Sequence, residues 1–177
     1  MRYVFVDFEM NLIDSEHKQE MKICKNEIIE IGAVKLDDEY NEIDSFKSYV
    51  KPVFGCMASR IIKLTGITDE LLADAPLYEE AIGKFIEWCS DADVIYAWSE
   101  NDLRQFRKEA RLKSYMHPQI EETISKWKDF QKEYAKMIGT SRRISLSDAV
   151  FYLGENFQGA EHDALWDARN LSLIHIS

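Results

Sequence analysis

The stretch Val4-Phe5-Val6-Asp7-Phe8-Glu9-Met10-Asn11 limits the folds open to this chain more than any other. Residues 2–8 read as a β-strand, because branched and aromatic residues dominate them. Alternate strand residues share a face, so Tyr3, Phe5, Asp7 and Glu9 point one way, and Val4, Val6 and Phe8 the other. A strand apolar on both faces belongs in the middle of a covered sheet. Two carboxylates at its end are poorly hydrated there and repel each other. Either one takes up a proton or a cation sits between them. Mg²⁺ and Mn²⁺ prefer oxygen ligands and suit such a place. An Asp-x-Glu pair is by itself weak, since a strand stopping at Phe8 would leave Glu9 in an exposed loop.

The rest of the chain surrounds such a strand with a mixed sheet. Residues 27–36 and 43–50 read as two more strands close behind the first, an antiparallel meander. Residues 52–64 read as irregular or helical, Thr65-Gly66-Ile67-Thr68 as a turn, and Thr68 or Asp69 as the cap of a short helix. Residues 77–89 have helical spacing, with Ala81, Ile82, Phe85, Ile86 and Cys89 on one stripe. Residues 92–98 form a short apolar strand. Residues 101–112 are amphipathic, with Leu103, Phe106, Arg107 and Ala110 marking the inner side. The pattern predicts a strand over 119–124 and helices over 127–138, 145–153 and 164–174, with Ser145 and Asp148 a capping pair. Strands first, then strand alternating with helix, indicate an α/β or α+β domain. One domain over residues 1–177 is expected from the length.

Charge narrows the partners. The net charge of −10 argues against wholesale binding to nucleic acid. Yet residues 104–143 carry 11 Lys/Arg against 5 Asp/Glu, so the remaining residues hold a balance of −16. One basic segment on an acidic body can guide a phosphate backbone, or it is simply a solvated lysine-rich helix. Cys24, Cys56 and Cys89 are widely spaced and form no Cys-x-x-Cys pair, which suggests a reducing, cytoplasmic setting. Asp7 interrupts any apolar leader, and no apolar run approaches the roughly 20 residues of a membrane helix.

Three further residues join the two acids. Asp102 follows the strand Ala92–Trp98 closely, where functional sites assemble, although Ser99-x-x-Asp102 is also a capping pair. His162 lies just before the last helix. Asp167 is on that helix near Ala164, Ala168 and Leu171, an inner face, whereas Asp163 can serve as its cap.

In this order the residues resemble the DEDDh branch of the DEDD superfamily of 3′-to-5′ exonucleases. The motifs are Asp7-Phe8-Glu9, Asp102 in WSENDLRQF, and His162 with Asp167 in HDALWDA. The stretch NEIIEIGAVKLD (26–37) is similar to the family's second strand, and VKPVFGCMASRIIKLTGITDELLADAP (50–76) to the region after its third. The resemblance runs from residue 2 to 170 and is nearest to the histone-mRNA and sporulation-inhibitor exonucleases. Many members carry Thr near Met10 or Asn11, and Gly near Ser99 or Glu100, so substrate preference stays open.

The resemblance implies an RNase H-like fold, a mixed five-stranded central sheet with helices on both faces. It implies hydrolytic release of nucleoside 5′-monophosphates from the 3′ end of single-stranded RNA or DNA, with two Mg²⁺ or Mn²⁺ ions. By similarity Asp7 bridges the ions, Glu9 and Asp167 hold one, Asp102 holds the other through water, and His162 is the general base. An imidazole is suited to that task because it ordinarily titrates near neutrality. Met10, Leu64, Thr65 and Gly66 are candidates for the 3′-terminal nucleotide by family analogy. Trp98 reads as core or as a base-stacking ring. A non-catalytic nucleic-acid-binding module on the same fold, a proofreading or oligoribonuclease-like enzyme, and a small-nucleotide phosphatase are the alternatives.

Overall fold

A computed structural model describes residues 1–176, the side chain of Ile176 excepted. Five strands, β1 (Tyr3–Leu12), β2 (Asn26–Leu36), β3 (Glu42–Tyr49), β4 (Val94–Ala97) and β5 (Trp127–Asp129), form one sheet in the order β3-β2-β1-β4-β5. The first three are antiparallel neighbours, as the meander predicts; β1–β4 and β4–β5 run parallel. This is the mixed RNase H-like sheet expected.

β1 is central because both its faces are apolar. Val4, Val6 and Phe8 pack with Ile82, Phe85 and Ile86 of α4 (Tyr78–Trp88) and Phe106 of α5 (Glu100–Leu112). Phe5 faces the other layer, with Leu171 and Ile174 of α9 (Ala164–Ile176), Phe130 and Tyr134 of α7 (Phe130–Met137), and Val150 of α8 (Leu146–Tyr152). Each fully buried aliphatic or aromatic side chain contributes about 1.5–3 kcal/mol, so two such layers fix β1 firmly. A smaller cluster, Ile29, Met57, Ile67 and Leu72, seats α2 (Ser59–Thr65) and α3 (Asp69–Leu72). Ile29 is available to it because the β1–β2 register shifts between Glu9 and Met10: Glu9 faces Glu30, but Met10 faces Ile28.

Gly32 faces Asp7 in that register. A Cβ on Gly32 would lie 2.1 Å from the backbone of Ala164 and Leu165, so the start of α9 rests directly on the sheet. Only glycine permits that approach.

Four local expectations need correction. β1 continues past Phe8 to Leu12, so Glu9 is in the strand and buried, not in a loop. Residues 119–124 are not a strand: α6 (Ile120–Ser125) occupies them, spacing Ile120 and Ile124 one turn apart toward the core. The fifth strand is Trp127–Asp129, taken from the stretch expected to start a helix. Its main chain docks beside β4, with Trp127 packed against Phe8 and Phe106. Three residues are too few to show a period of two. Arg107 is exposed; the inner side of α5 is Asp102, Gln105, Phe106, Glu109 and Ala110. A short helix α1 (Glu20–Ile23), not foreseen, lies between β1 and β2. The expected caps are present: Ser145 accepts the Asp148 N–H at 3.0 Å and Thr68 that of Leu71 at 3.3 Å.

Candidate active site

β4 ends at Ala97, opposite Val6. Asp7 and Glu9 therefore stand on β1 just beyond the end of its parallel neighbour, where the chain turns from β4 into α5 through Trp98 and Ser99. Ser99 caps the helix by accepting the Asn101 N–H at 3.2 Å, which frees Asp102 for another partner. That partner is β1: Asp102 Oδ1 accepts the Phe8 N–H at 3.2 Å. A side chain thus replaces the missing strand, and Asp102, 5% exposed, is drawn to the sheet end.

Asp167 comes from the opposite layer. Two contacts dock the start of α9 on β2 and β3, and a cap shapes its first turn. Glu30 accepts the Ala164 N–H at 3.1 Å. Lys47 bridges Glu30 at 2.9 Å and Asp163 at 2.6 Å. Asp163 accepts the N–H groups of Leu165 and Trp166, which makes it the cap expected from sequence. Asp167, one turn further, then faces Glu9. Its Oδ2 accepts the His162 N–H at 3.3 Å; its Oδ1 is buried with no hydrogen-bond partner. His162 adopts φ 64°, an uncommon conformation for a side-chain-bearing residue that stores strain. Its ring is 44% exposed, with Nδ1 4.0 Å from Glu9 Oε1.

Glu9, His162 and Asp167 each offer a ligand atom within 4.8 Å of the others. Asp7 and Asp102 adjoin this trio without belonging to it, and all four acids share one electrostatic field. Burial raises the Asp7 carboxyl well above the usual carboxylate range, and Asp102, Asp167, Glu9 and Glu30 add to the shift. Burial, then Asp167 and Glu30, push Glu9 up to about 9. Burial lifts Asp102 to about 7 against the Phe8 N–H, and Asp167 to about 7 against the His162 N–H. Closely spaced carboxyls without a cation hold their protons; with one they release them. The carboxylate oxygens gathered around an unsatisfied buried Asp167 oxygen fit Mg²⁺ or Mn²⁺, which prefer oxygen ligands.

A second buried acidic group, from β2 and α5, has its partners built in. Lys113 Nζ sits 3.0 Å from Glu27 and 2.9 Å from Glu109, all three nearly inaccessible. Glu109 also accepts from Ile28 N and the Gln105 amide, both at 2.8 Å; Glu27 accepts from Val53 N and Phe54 N.

Among the nucleotide-site candidates, Met10 is half-buried and lines a cleft with Asn101 and Arg104. Leu64, Thr65 and Gly66 end α2. Leu64 is exposed, Thr65 Oγ1 bonds Ile61 O at 2.9 Å, and Gly66 is the left-handed C-cap at φ 74°, with open space where a Cβ would be. Gly66 thus answers a backbone need. Asn11 ties α2 to β1, donating to Cys56 O at 3.1 Å and accepting from Ala58 N at 2.9 Å. Trp98 is core: it packs on Phe130 and Tyr134, and its indole N–H donates to Ile144 O at 3.1 Å. Glu30 and Lys47 escaped sequence reasoning. The available signal was a charge inside the apolar run EIIEIGAV.

An RNase H-like sheet with four acids gathered where its parallel strands end defines a class, the nucleases built on that fold. The chain belongs to the Exonuclease family (RNase_T), whose model matches residues 4–174. It is 28% identical to mouse 3′-5′ exoribonuclease 1 over 162 residues, which cover 85% of this chain and 46% of that protein. It is 29% identical to DNA polymerase III subunit epsilon of Aquifex aeolicus over 121 residues, 67% of this chain and 55% of that one. The chain thus spans about half the length of these relatives. Among solved structures, the nuclease domain of 3′hExo, a DEDDh family member bound to rAMP, matches with a TM-score of 0.83 at 22% identity, covering 99% of this chain and 90% of that one. Pop2p of S. pombe, in a Mg²⁺- and Mn²⁺-bound form, matches at 0.68 and 16% identity, covering 98% and 81%. Both establish the fold. The family relationship supports an exonuclease rather than a non-catalytic module.

Proposed function

We propose that this domain, with Mg²⁺ or Mn²⁺, removes nucleoside 5′-monophosphates from the 3′ end of single-stranded nucleic acid. One observation carries the reading: four acids from β1, α5 and α9 converge with raised proton affinity, and one buried Asp167 oxygen lacks a partner. Asp7, Glu9, Asp102 and Asp167 would hold the cations. Bound there, two divalent ions supply charge neutralisation for the phosphate, a more acidic water and stabilisation of the leaving oxygen.

The protein's own groups do the rest. His162 accepts the proton of the attacking water, a contribution of about 10² to 10⁴ in rate. Its main-chain N–H, held by Asp167, couples the position of base and carboxylate. Asp102 fixes β1 at Phe8, and with it the angle at which Asp7 presents its carboxylate. Met10 and the Leu64-Thr65-Gly66 turn hold the terminal nucleotide, a reading supported by the Asn11 tether between β1 and α2. Cys24, Cys56 and Cys89 are all free, which supports a reducing compartment such as the cytoplasm.

The test is end-labelled oligonucleotides of matched RNA and DNA sequence, incubated with MnCl₂ or with chelator. Mononucleotide release from the 3′ end only with metal is expected. Intact oligonucleotides under both conditions would sink the proposal, and the RNA-to-DNA ratio measures any 2′-hydroxyl preference.

A further inference from the structure

The basic segment noted in the sequence has no role in the chemistry above, yet the fold brings its charges to the active site. A cleft of about 360 Å³ opens at Met10, the residue after Glu9, and is lined by Lys25, Arg104 and Lys108 with no carboxylate among its walls. It shares Asn101 and Arg104 with a larger cleft of about 480 Å³, which extends to Lys132, Arg142 and Arg143. Asn101, Arg104 and Lys108 recur at three- and four-residue spacing, so they form one stripe along about 10 Å of α5. The two clefts are therefore one groove leading away from Glu9.

Its charge is one-sided. Glu100 pairs with Arg104 and Lys132, both at 3.3 Å, and Asp129 with Lys132 at 3.2 Å. Among the described residues Lys25, Lys108, Arg142 and Arg143 have no ion pair. On a chain of net charge −10 such cations are attractive to a polyanion and to little else. Beyond the arginines the surface continues past the exposed ring of Tyr152, the kind of flat face on which a base stacks.

We propose that this groove carries the upstream part of the substrate: a single strand enters over Arg142 and Arg143, passes Arg104 and Lys108, and delivers its 3′ end beside Met10. The inference rests on the nuclease reading above. It explains how an acidic protein holds a polyanion: the contacts are to phosphates, so they are indifferent to sequence and weaken with salt.

The experiment compares wild type, the Arg142→Glu/Arg143→Glu double variant and Lys136→Glu, an exposed lysine of the same segment outside the groove. Binding of 5′-fluorescein-labelled dodecauridylate is followed by anisotropy across a salt series in chelator. Turnover of a dinucleotide and of the dodecamer is followed in MnCl₂, and circular dichroism checks the fold. The double variant should bind the dodecamer at least tenfold more weakly, with a salt slope smaller by about two, and Lys136→Glu should bind within about twofold of wild type. The double variant's KM for the dodecamer should rise at least tenfold more than its KM for the dinucleotide. Equal binding by wild type and double variant, or equal losses from Lys136→Glu, would overturn the groove. A protein that binds through the two arginines and cleaves neither substrate retains the groove and loses the nuclease reading.

Discussion

Two groups of buried acids gather against the same central strands, β1 and β2, and have opposite fates. Glu27 and Glu109 are as buried as any side chain in the molecule, but Lys113 and four main-chain or amide donors meet them. From other residues, Asp7, Glu9, Asp102 and Asp167 receive two backbone N–H groups among the described contacts, to Asp102 and Asp167, and no lysine or arginine. Burial alone does not mark an acid as functional. An acid becomes a candidate for chemistry when the chain gathers several and leaves their charge for something else to neutralise. The first group is structure already completed; the second would be completed by the cations proposed above.

The largest effect should come from removing a member of the second group. Asp7→Asn is expected to lower mononucleotide release on the order of 10³-fold or more, while its melting temperature stays level or rises, because one source of repulsion is gone. A fully active Asp7→Asn protein would break the comparison. His162→Ala should reduce turnover by about 10² to 10⁴ and leave Mn²⁺ binding, followed by calorimetry, largely intact. Loss of Mn²⁺ binding in that variant would make the histidine chiefly a ligand.

Glu109→Ala tests the completed group and should behave in the reverse sense. It strands Lys113 with half its counter-charge, a change costing about 3–5 kcal/mol in denaturant unfolding, while specific activity of the folded fraction is preserved. Lys113→Met combined with Glu109→Leu and Glu27→Gln, which leaves no charge of the triad unpaired, should recover much of that loss; if it recovers none, the triad is not the isolated unit described.

The smallest expected effect is on pH. Glu9, at about 9, and Asp102 and Asp167, at about 7, lie above their ordinary values of 4.5 and 3.8. A raised carboxyl favours the folded state when protonated, so that stability is fully present below the ordinary values and lost as pH rises through about 7 to 9. In chelator the melting temperature should fall across that range. Added Mn²⁺ should stabilise more at pH 8 than at pH 6, because at pH 6 it competes with protons. A metal-free protein that grows more stable over the same interval would contradict the assignment.

The sequence made the chemistry more legible than the framework. Asp7 and Glu9 stand out as acids in an apolar strand and Asp167 as an acid on an inner helix face, whereas Asp102 and His162 join them only through the order of motifs that resembles the exonuclease family. The fifth strand could not, since Trp127–Asp129 is too short for periodicity and is set by docking beside β4. Glu30 and Lys47 hold the start of α9, but they meet its residues across more than a hundred positions of chain, and no local pattern carries that. Arg107 looked inward by spacing alone, whereas the turn of α5 placed Glu109 there to meet Lys113.

Gly32 has no chemistry, but it sets the scale on which the chemistry occurs. The atoms a Cβ would strike belong to the main chain of Ala164 and Leu165, which cannot swing aside as a side chain would. The aperture between sheet and helix is therefore gauged by a missing methyl group. Exchanging one acid for another retunes the charge within that aperture, but widening it requires lifting a whole helix.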